Sequence, residues 1–416
     1  MLGMKKIRDP IHGFIHYSDE EQAIIDSLCF QRLRGIKQLA LTCLVYPGAM
    51  HTRFEHSLGV LYMATRICNQ LRLDEENTKL VRWAAFLHDV GQGPLSHTFE
   101  PVLESMNDFK VDHEDVTVKI LKEDEEFKHA LDSYEDSIVS IFSDDNESIG
   151  RRIISGSIDA DKLDYFIRDS YHTGVKYGLF DCERILHTLS KREDRDRAYI
   201  TTTMKGKEAL EDFKLARYLM HSQVYSHHAR FISDSMFVRG SLIAARDRIL
   251  EKDLLNLKNS QFLKYYFSLD DSSISELVIR SNVESNAKIY FKDLMNRRLF
   301  KRFIEWDTSS LDFEQKENIR EGQGVGFTRV EEGLAEECGC DPDFIIVTTQ
   351  KISVFKDEKV PLLIETEEGR VTELEDYSPI EYKTETVEKF FILCPEEFRD
   401  GLRERLKNKE NVFDYF

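Results

Sequence analysis

The sequence predicts a mainly α protein with small β-hairpins, followed by a smaller α+β lobe at the C-terminal end. Three observations carry this expectation. Apolar residues recur at helical spacing, with capping signals, through most of the chain before residue 305. Runs with strand character are short there, around Ile7, Phe14-Ile15 and Tyr199 to Thr203. Beyond about residue 310 strand candidates and helical patterns alternate, so we divide the chain into 1–305 and 306–416.

In chain order, residues 5–17 read as two short strands separated by the turn formers Asp9-Pro10 and Gly13. Ser18-x-x-Glu21 is a capping box, opening a helix that turns Ile24, Ile25 and Leu28 inward. Residues 29–39, CFQRLRGIKQL, set Arg32, Arg34 and Lys37 among apolar side chains, which reads most simply as a solvated helix face. A second capping box, Thr52-x-x-Glu55, opens a helix through Leu71, with His56 in its first turn and Phe54, Leu58, Leu61 and Ile67 on its apolar face. The helix at 75–88 carries Val81, Ala84, Ala85 and Leu87 up to the adjacent pair His88-Asp89, after which a Gly-Pro turn leads to His97. His113-Glu114 begin another amphipathic segment, and the acidic run 122–126 reads as solvated.

Within 153–170, Asp161, Tyr165 and Asp169 fall at i, i+4 and i+8, inside an arc of about 80°, and give that helix one polar edge. Residues 186–203 read as a hairpin with the charged turn KREDRDR. A long helix from Gly206 to about Ser233 repeats the polar edge with Arg217, His221 and Tyr225. Residues 235–305 are mainly helical, with Arg297, Arg298, Lys301 and Arg302 around Leu299-Phe300. Strands at 344–347 and 390–393, and a closing helix with Pro395 in its first turn, make up the C-terminal lobe.

The 416 residues are 41% hydrophobic, enough for a large core and against a disordered chain. With 76 acidic and 57 basic residues the net charge is −19, which argues against broad binding to a nucleic-acid backbone. A phosphate ligand would need a local basic pocket. The seven cysteines are irregularly spaced and fit reduced thiols better than a disulfide framework. Cys338-Gly-Cys340 alone lacks the four ligands of a zinc site. The N-terminal residues show no signal-peptide core, and no apolar run approaches the roughly 18 residues needed to span a bilayer, so a soluble cytoplasmic protein is expected.

An imidazole beside a carboxylate at the end of an apolar helix is costly to desolvate, and a metal ion is the usual compensation. His56 and Asp161 complete the pair His88-Asp89 in the order His, His-Asp, Asp on successive helices. Such mixed ligands suit iron, manganese or zinc at a hydrolytic centre. Each histidine alone is more often a satisfied core or surface residue; the specificity lies in the order.

That order resembles the HD-domain phosphohydrolase superfamily. The flanking phrases resemble its dNTP triphosphohydrolase branch, which includes dGTPase-like bacterial and archaeal members and a vertebrate member joining a SAM domain to an HD domain. They are DPIHG (9–13), FQRLRGIKQL (30–39), YPGAMHTRFEHSLGV (46–60), HDVGQGPLSH (88–97), IDADKLDYFIRD (158–169) and RYLMHSQVYSHH (217–228), with weaker echoes in RRLFK (297–301) and DFII (343–346). No SAM domain is expected ahead of the HD region.

The resemblance implies an HD-domain helical core with its metal site within residues 50–230. It makes His56, His88, Asp89 and Asp161 the metal ligands, and Arg53, Lys162, Tyr165 and Arg217 the triphosphate contacts, with Mg2+ accompanying the nucleotide. Gln38 and Asp169, with Leu39 beside them, would hold the deoxyribose 3′-hydroxyl. Tyr225 would stack under the sugar and exclude a 2′-hydroxyl, next to His221. The implied reaction is attack of water on the α-phosphorus, with His97, His113 and Glu114 as acid and base candidates.

One position departs from the pattern: Gln92 stands where the family has a histidine thought to protonate the leaving oxygen. The resemblance further implies that Asp9, Gln31, Arg34, Arg297 and Lys301 bind an activating guanine nucleotide, GTP or dGTP, between subunits of a homodimer or tetramer. Two other readings remain open at this point. One is an HD phosphohydrolase acting on another nucleotide; the other is a nucleotide-binding regulator whose catalysis has weakened at Gln92.

Overall fold

The structure is a computed structural model that describes residues 5–131, 134–143, 145–194, 197–352, 361–380, 387–405, 410–413 and 415–416. Strands Lys5–Asp9 and Gly13–Tyr17 pair antiparallel with Ile7 opposite Ile15, and Gly13 takes the left-handed conformation (φ +77) that closes the turn. The first capping box forms: Ser18 accepts from Glu21 N and Glu21 accepts from Ser18 N. Its helix, Asp19–Asp26, ends earlier than the apolar spacing suggests. Leu28 starts a new helix, Leu28–Arg32, and is exposed rather than inward.

The solvated-face reading of residues 29–39 also needs correcting at Arg32. Its buried guanidinium donates to the carbonyls of Leu269, Val90 and Gln92, acceptors that a helix periodicity cannot reveal. The second expected box does not form. Thr52 sits at the N-cap of helix Arg53–Leu71, but its side chain caps nothing. The Arg53 amide is satisfied instead by Ile36 O at 2.9 Å, and Glu55 faces His172 at 3.7 Å.

Helices Arg53–Leu71, Glu75–Leu87 and Ala160–Thr173 pack together and bury Phe54, Leu61 and Ile67, then Val81, Ala84 and Leu87, then Leu163 and Phe166. Asp74 and Asp159 cap the second and third, accepting from Asn77 N and Lys162 N. Strands Leu189–Asp194 and Arg197–Thr203 form the expected hairpin. The helix expected from 206 to 233 is interrupted: Lys207–Met220 widens into a π turn, His221–Tyr225, and a separate helix runs His228–Arg246. An inserted π turn rotates the residues after it relative to the α-helical face.

Two compact units result, and their limits differ from the division at 305. The first holds residues up to Tyr225, Asp253–Ile274 and the described part of 357–383. In it, Leu363–Glu365 adds to the hairpin in parallel, with Thr202 opposite Ile364, and Val371–Glu373 forms the edge of this four-stranded sheet. The second holds Ser226–Lys252, the described residues of 275–356 and those of 384–416. Its antiparallel sheet has Val387–Cys394 between Lys301–Asp307 and Ile346–Ile352, and its core gathers Trp306, Leu334, Phe390 and Ile392. The seven cysteines are free thiols. Among the described residues no helix is long and apolar enough to cross a membrane.

Candidate active site

Three helix ends converge in the first unit. His56 lies in the first turn of Arg53–Leu71, His88 caps the C-terminus of Glu75–Leu87, and Asp161 lies in the first turn of Ala160–Thr173. His88 Nδ1 is 2.8 Å from Ala85 O and His56 Nδ1 is 2.8 Å from Asp164 Oδ2, so both rings turn Nε2 into the site. Asp161 Oδ1 is 3.0 Å from His56 Nε2 and 3.7 Å from His88 Nε2. Asp89 Oδ2 is 3.6 Å and 3.5 Å from the same two atoms and 2.6 Å from Arg53 Nη1.

This donor set fits a divalent transition metal. His56 Nε2 is buried and makes no hydrogen bond, although acidic oxygens surround it. Burial works against a charge on His56, but Asp161 and Asp164 outweigh it and hold the imidazole pKa up at about 9. Burial likewise opposes the Asp161 charge, yet His56 and His88 keep that carboxyl well below the usual range. A pocket so favourable to positive charge, with two imidazoles and carboxylates, suits iron, manganese or zinc.

Behind His56 the support is buried and charged. Arg168 donates to both oxygens of Asp164 at 2.8 and 2.9 Å, His12 Nε2 lies 2.6 Å from Oδ1, and Arg168 Nη1 reaches Asp9 Oδ2 at 2.8 Å. Gly59 is required here, because a Cβ on it would collide with Asp164 and Arg168. Asp9, expected at the effector site, also belongs to this support. Its carboxylate is 4% exposed and taken by Arg168 and the amides of Ile11 and His12.

A cleft of about 190 Å³ opens beside the ligands, lined by Arg53, His97, His113, Glu114 and Arg151 among others. Glu100 Oε1 is 2.9 Å from His97 Nδ1 and 2.6 Å from His113 Nδ1, and the two imidazoles meet edge to face at 5.0 Å. Burial lowers the proton affinity of His113, but Glu100 and Asp89 raise it further, and its Nε2 lies 4.0 Å from Asp89 Oδ1. Gln92 is completely buried; its amide nitrogen is 3.3 Å from Asp89 Oδ1 and its Oε1 has no partner.

Comparison with known proteins agrees with this geometry. The HD domain family profile matches residues 53–169, and the HD associated region profile matches residues 180–406. The chain belongs to the HD-domain phosphohydrolase family. A protein of Methanocaldococcus jannaschii is 39% identical over 289 residues, 69% of this chain and 60% of that relative. The deoxynucleoside triphosphate triphosphohydrolase SAMHD1 of Bos taurus is 30% identical over 373 residues, 76% of this chain and 61% of its own. The chain thus spans less than two thirds of the length of these relatives. A crystal structure of a phosphohydrolase from Bacteroides thetaiotaomicron superposes with a TM-score of 0.78 at 25% identity, covering 94% of this chain and 99% of that one.

Around the HD pair, the polar edges read from the sequence meet only in part. Tyr225 donates to Asp169 Oδ2 at 2.7 Å, its ring lies 5.0 Å from that of His221 and 6.2 Å from that of Tyr165, and Tyr165 is 6.5 Å from His56. Arg217, Gln38 and Leu39 are buried, and Gln38 Oε1 lacks a partner. Lys162 instead turns its ammonium to Asp159 Oδ2 (2.6 Å) and Gly156 O (3.1 Å). Glu114 is exposed at the cleft rim.

Of the remaining effector candidates, Arg34 donates to Gln31 Oε1 at 2.8 Å and lies 3.5 Å over the Phe54 ring. In the second unit Arg297 and Lys301 line a cavity of about 550 Å³ with Phe344 and Phe398. Sequence reasoning missed Asp164, Arg168, Glu100, His51 and Ser96. Only Glu100, one helical turn from His97, carried a local signal.

Proposed function

We propose that the chain is a metal-dependent deoxynucleoside triphosphohydrolase that splits a dNTP into deoxynucleoside and intact triphosphate. The observation that carries this reading is the convergence of His56, His88 and Asp161 beside the Asp89–Arg53 pair in one cleft. The triphosphohydrolase relative from Bos taurus supports the substrate class. A transition metal held by His56, His88, Asp89 and Asp161 would supply Lewis acidity and a water of lowered pKa.

The chain's own groups do the rest. Arg53, steadied by Ser96 Oγ at 2.9 Å, meets phosphate oxygens together with Arg217 and the Tyr165 hydroxyl, and Lys162 joins them by turning from Asp159. Burial, with Asp161 nearby, pushes the Tyr165 pKa well up, so the hydroxyl remains a hydrogen-bond donor. Mg2+ accompanies the phosphates. Asp169, Gln38 and Leu39 face the sugar, with Tyr225 and His221 beneath it. Glu100 holds Nδ1 of His97 and His113, which leaves each Nε2 to move a proton; Glu114 stands at the rim.

Product analysis after incubation with dGTP and manganese tests the reading: triphosphate and deoxyguanosine are expected. A monophosphate product would make the chain a phosphohydrolase of a different nucleotide bond. Gln92 favours one further reading, a nucleotide-binding regulator with weakened catalysis, because its amide has no proton to deliver. Tight dGTP binding without turnover would identify that case. Activation by GTP or dGTP through Gln31, Arg34, Arg297 and Lys301 in a homodimer or tetramer belongs to the same proposal. A mass and activity unchanged by either nucleotide would remove it.

A further inference from the structure

The Asp169 carboxylate, 1% exposed, is gripped on both oxygens. His51 Nε2 lies 2.7 Å from Oδ1, and Tyr225 donates its hydroxyl to Oδ2 at 2.7 Å. His51 is itself tightly placed. Its carbonyl accepts from Gln38 N at 3.0 Å, the neighbouring residues Lys37 and Thr52 form a backbone bridge, and its ring stacks on His172 at 4.4 Å and 16°.

A carboxylate only accepts, so Nε2 carries the hydrogen of this bond, and Nδ1 is left buried without a partner. Tyr225 is held at its ring as well, edge-on to His221 and to Tyr165. The terminal torsion of an aspartate is soft, with a broad distribution of rotations. One partner leaves that rotation available; two partners on opposite oxygens fix the plane, and with it the position of the Tyr225 hydroxyl.

We propose that His51 is a positioning residue: by donating to Asp169 it fixes the carboxylate that holds Tyr225, and so sets the discrimination between a 2′-deoxyribose and a ribose. This rests on the dNTP reading above. The test uses the full chain and its His51→Ala, His51→Gln, Tyr225→Phe and His51→Ala/Tyr225→Phe variants, with kcat and KM for dGTP and GTP and calorimetric binding of both nucleotides. His51→Ala is expected to lower the dGTP to GTP ratio of kcat/KM by about tenfold or more, the usual reach of one charge-assisted hydrogen bond, mostly through a lower KM for GTP as the 2′-hydroxyl is admitted. His51→Gln, whose amide nitrogen reaches the place of Nε2, is expected to restore most of it. The double variant should lose no more than Tyr225→Phe alone, because both act through one carboxylate.

An unchanged ratio in a folded His51→Ala variant, or additive losses in the double variant, overturns the positioning role while wild-type dGTP hydrolysis leaves the dNTP reading standing. If His51→Ala does not fold, a His51→Gln ratio that falls as far as in Tyr225→Phe overturns it. A wild-type protein that binds neither dGTP nor GTP overturns both.

Discussion

Gln92 is the residue at which the proposed turnover can be tested most directly. It is buried against Asp89 with Oε1 unpaired, and an unsatisfied buried acceptor costs about 1–3 kcal/mol, so the position is not simply well packed. Loss of a general acid commonly costs about 10²–10⁴ in rate. Gln92→His is therefore expected to raise the rate of triphosphate release by at least tenfold and up to that range; equal rates for the two proteins would show that His97 or His113 already supplies the proton. A second residue gives a pH signature. Burial, His51 and Arg168 push the His172 pKa down to about 4, against the opposing pull of Asp169 and Asp9, and Glu55 and the Tyr171 ring also face it. The unfolded chain, near the ordinary value of about 6.5, takes up this proton first, so folded-state stability falls as pH drops from about 6.5 to about 4. His172→Phe keeps the stack on His51 and should flatten that loss in urea titrations; parallel curves for the two proteins would exclude it. These two positions also show what was legible. His56, His88 and Asp161 could be read because each sits at a helix end with a local pattern. Asp164 could not, since it earns its role only by meeting His56 across 108 residues of chain.

At the scale of elements, the turn at Leu95 and Ser96 links the HD pair to Arg53. Both residues adopt left-handed backbone (φ +57 and +56), unusual for side chains with a Cβ. The Asp271 carboxylate holds the turn by accepting from Leu95 N at 2.7 Å and from Lys37 N at 3.1 Å. The result aims Ser96 Oγ at Lys37 O (2.8 Å) and at Arg53 Nε (2.9 Å). Ser96→Ala and Ser96→Gly both delete that hydroxyl and should weaken inorganic triphosphate binding by about tenfold, the loss of one hydrogen bond to a charged group. They should differ in stability: glycine removes a left-handed penalty of about 1–2 kcal/mol, so Ser96→Gly should unfold at higher urea than Ser96→Ala by about 1 kcal/mol. Identical midpoints would show that the turn stores no strain, and unchanged binding would detach Ser96 from Arg53. Helix positions were readable from apolar spacing and from the box at Ser18. The π turn at His221–Tyr225 was not, because its sequence satisfies an ordinary helix; at its end Tyr225 donates to Asp169.

At the scale of the whole chain, order in sequence and order in space part company. Composition placed everything after residue 305 in one lobe, yet Leu363–Glu365 completes a sheet of the unit that holds the metal ligands. Ile364 there is 0% exposed, and the buried Lys214 pairs with Glu375. A three-residue strand is too short for periodicity to register, and its partner lies at Thr202, far back in the chain. Substitution distinguishes the two divisions. Ile364→Ala should cost about 2–5 kcal/mol, as buried isoleucines do, and the loss should appear as faster amide exchange in Leu189–Asp194 and Arg197–Thr203. Leu334→Ala, cut from the core of the second unit, should instead loosen Lys301–Asp307 and Val387–Cys394. Exchange that rises in the second sheet after Ile364→Ala, with the first hairpin unchanged, would restore the division at 305 and detach this segment from the unit that carries His56, His88 and Asp161.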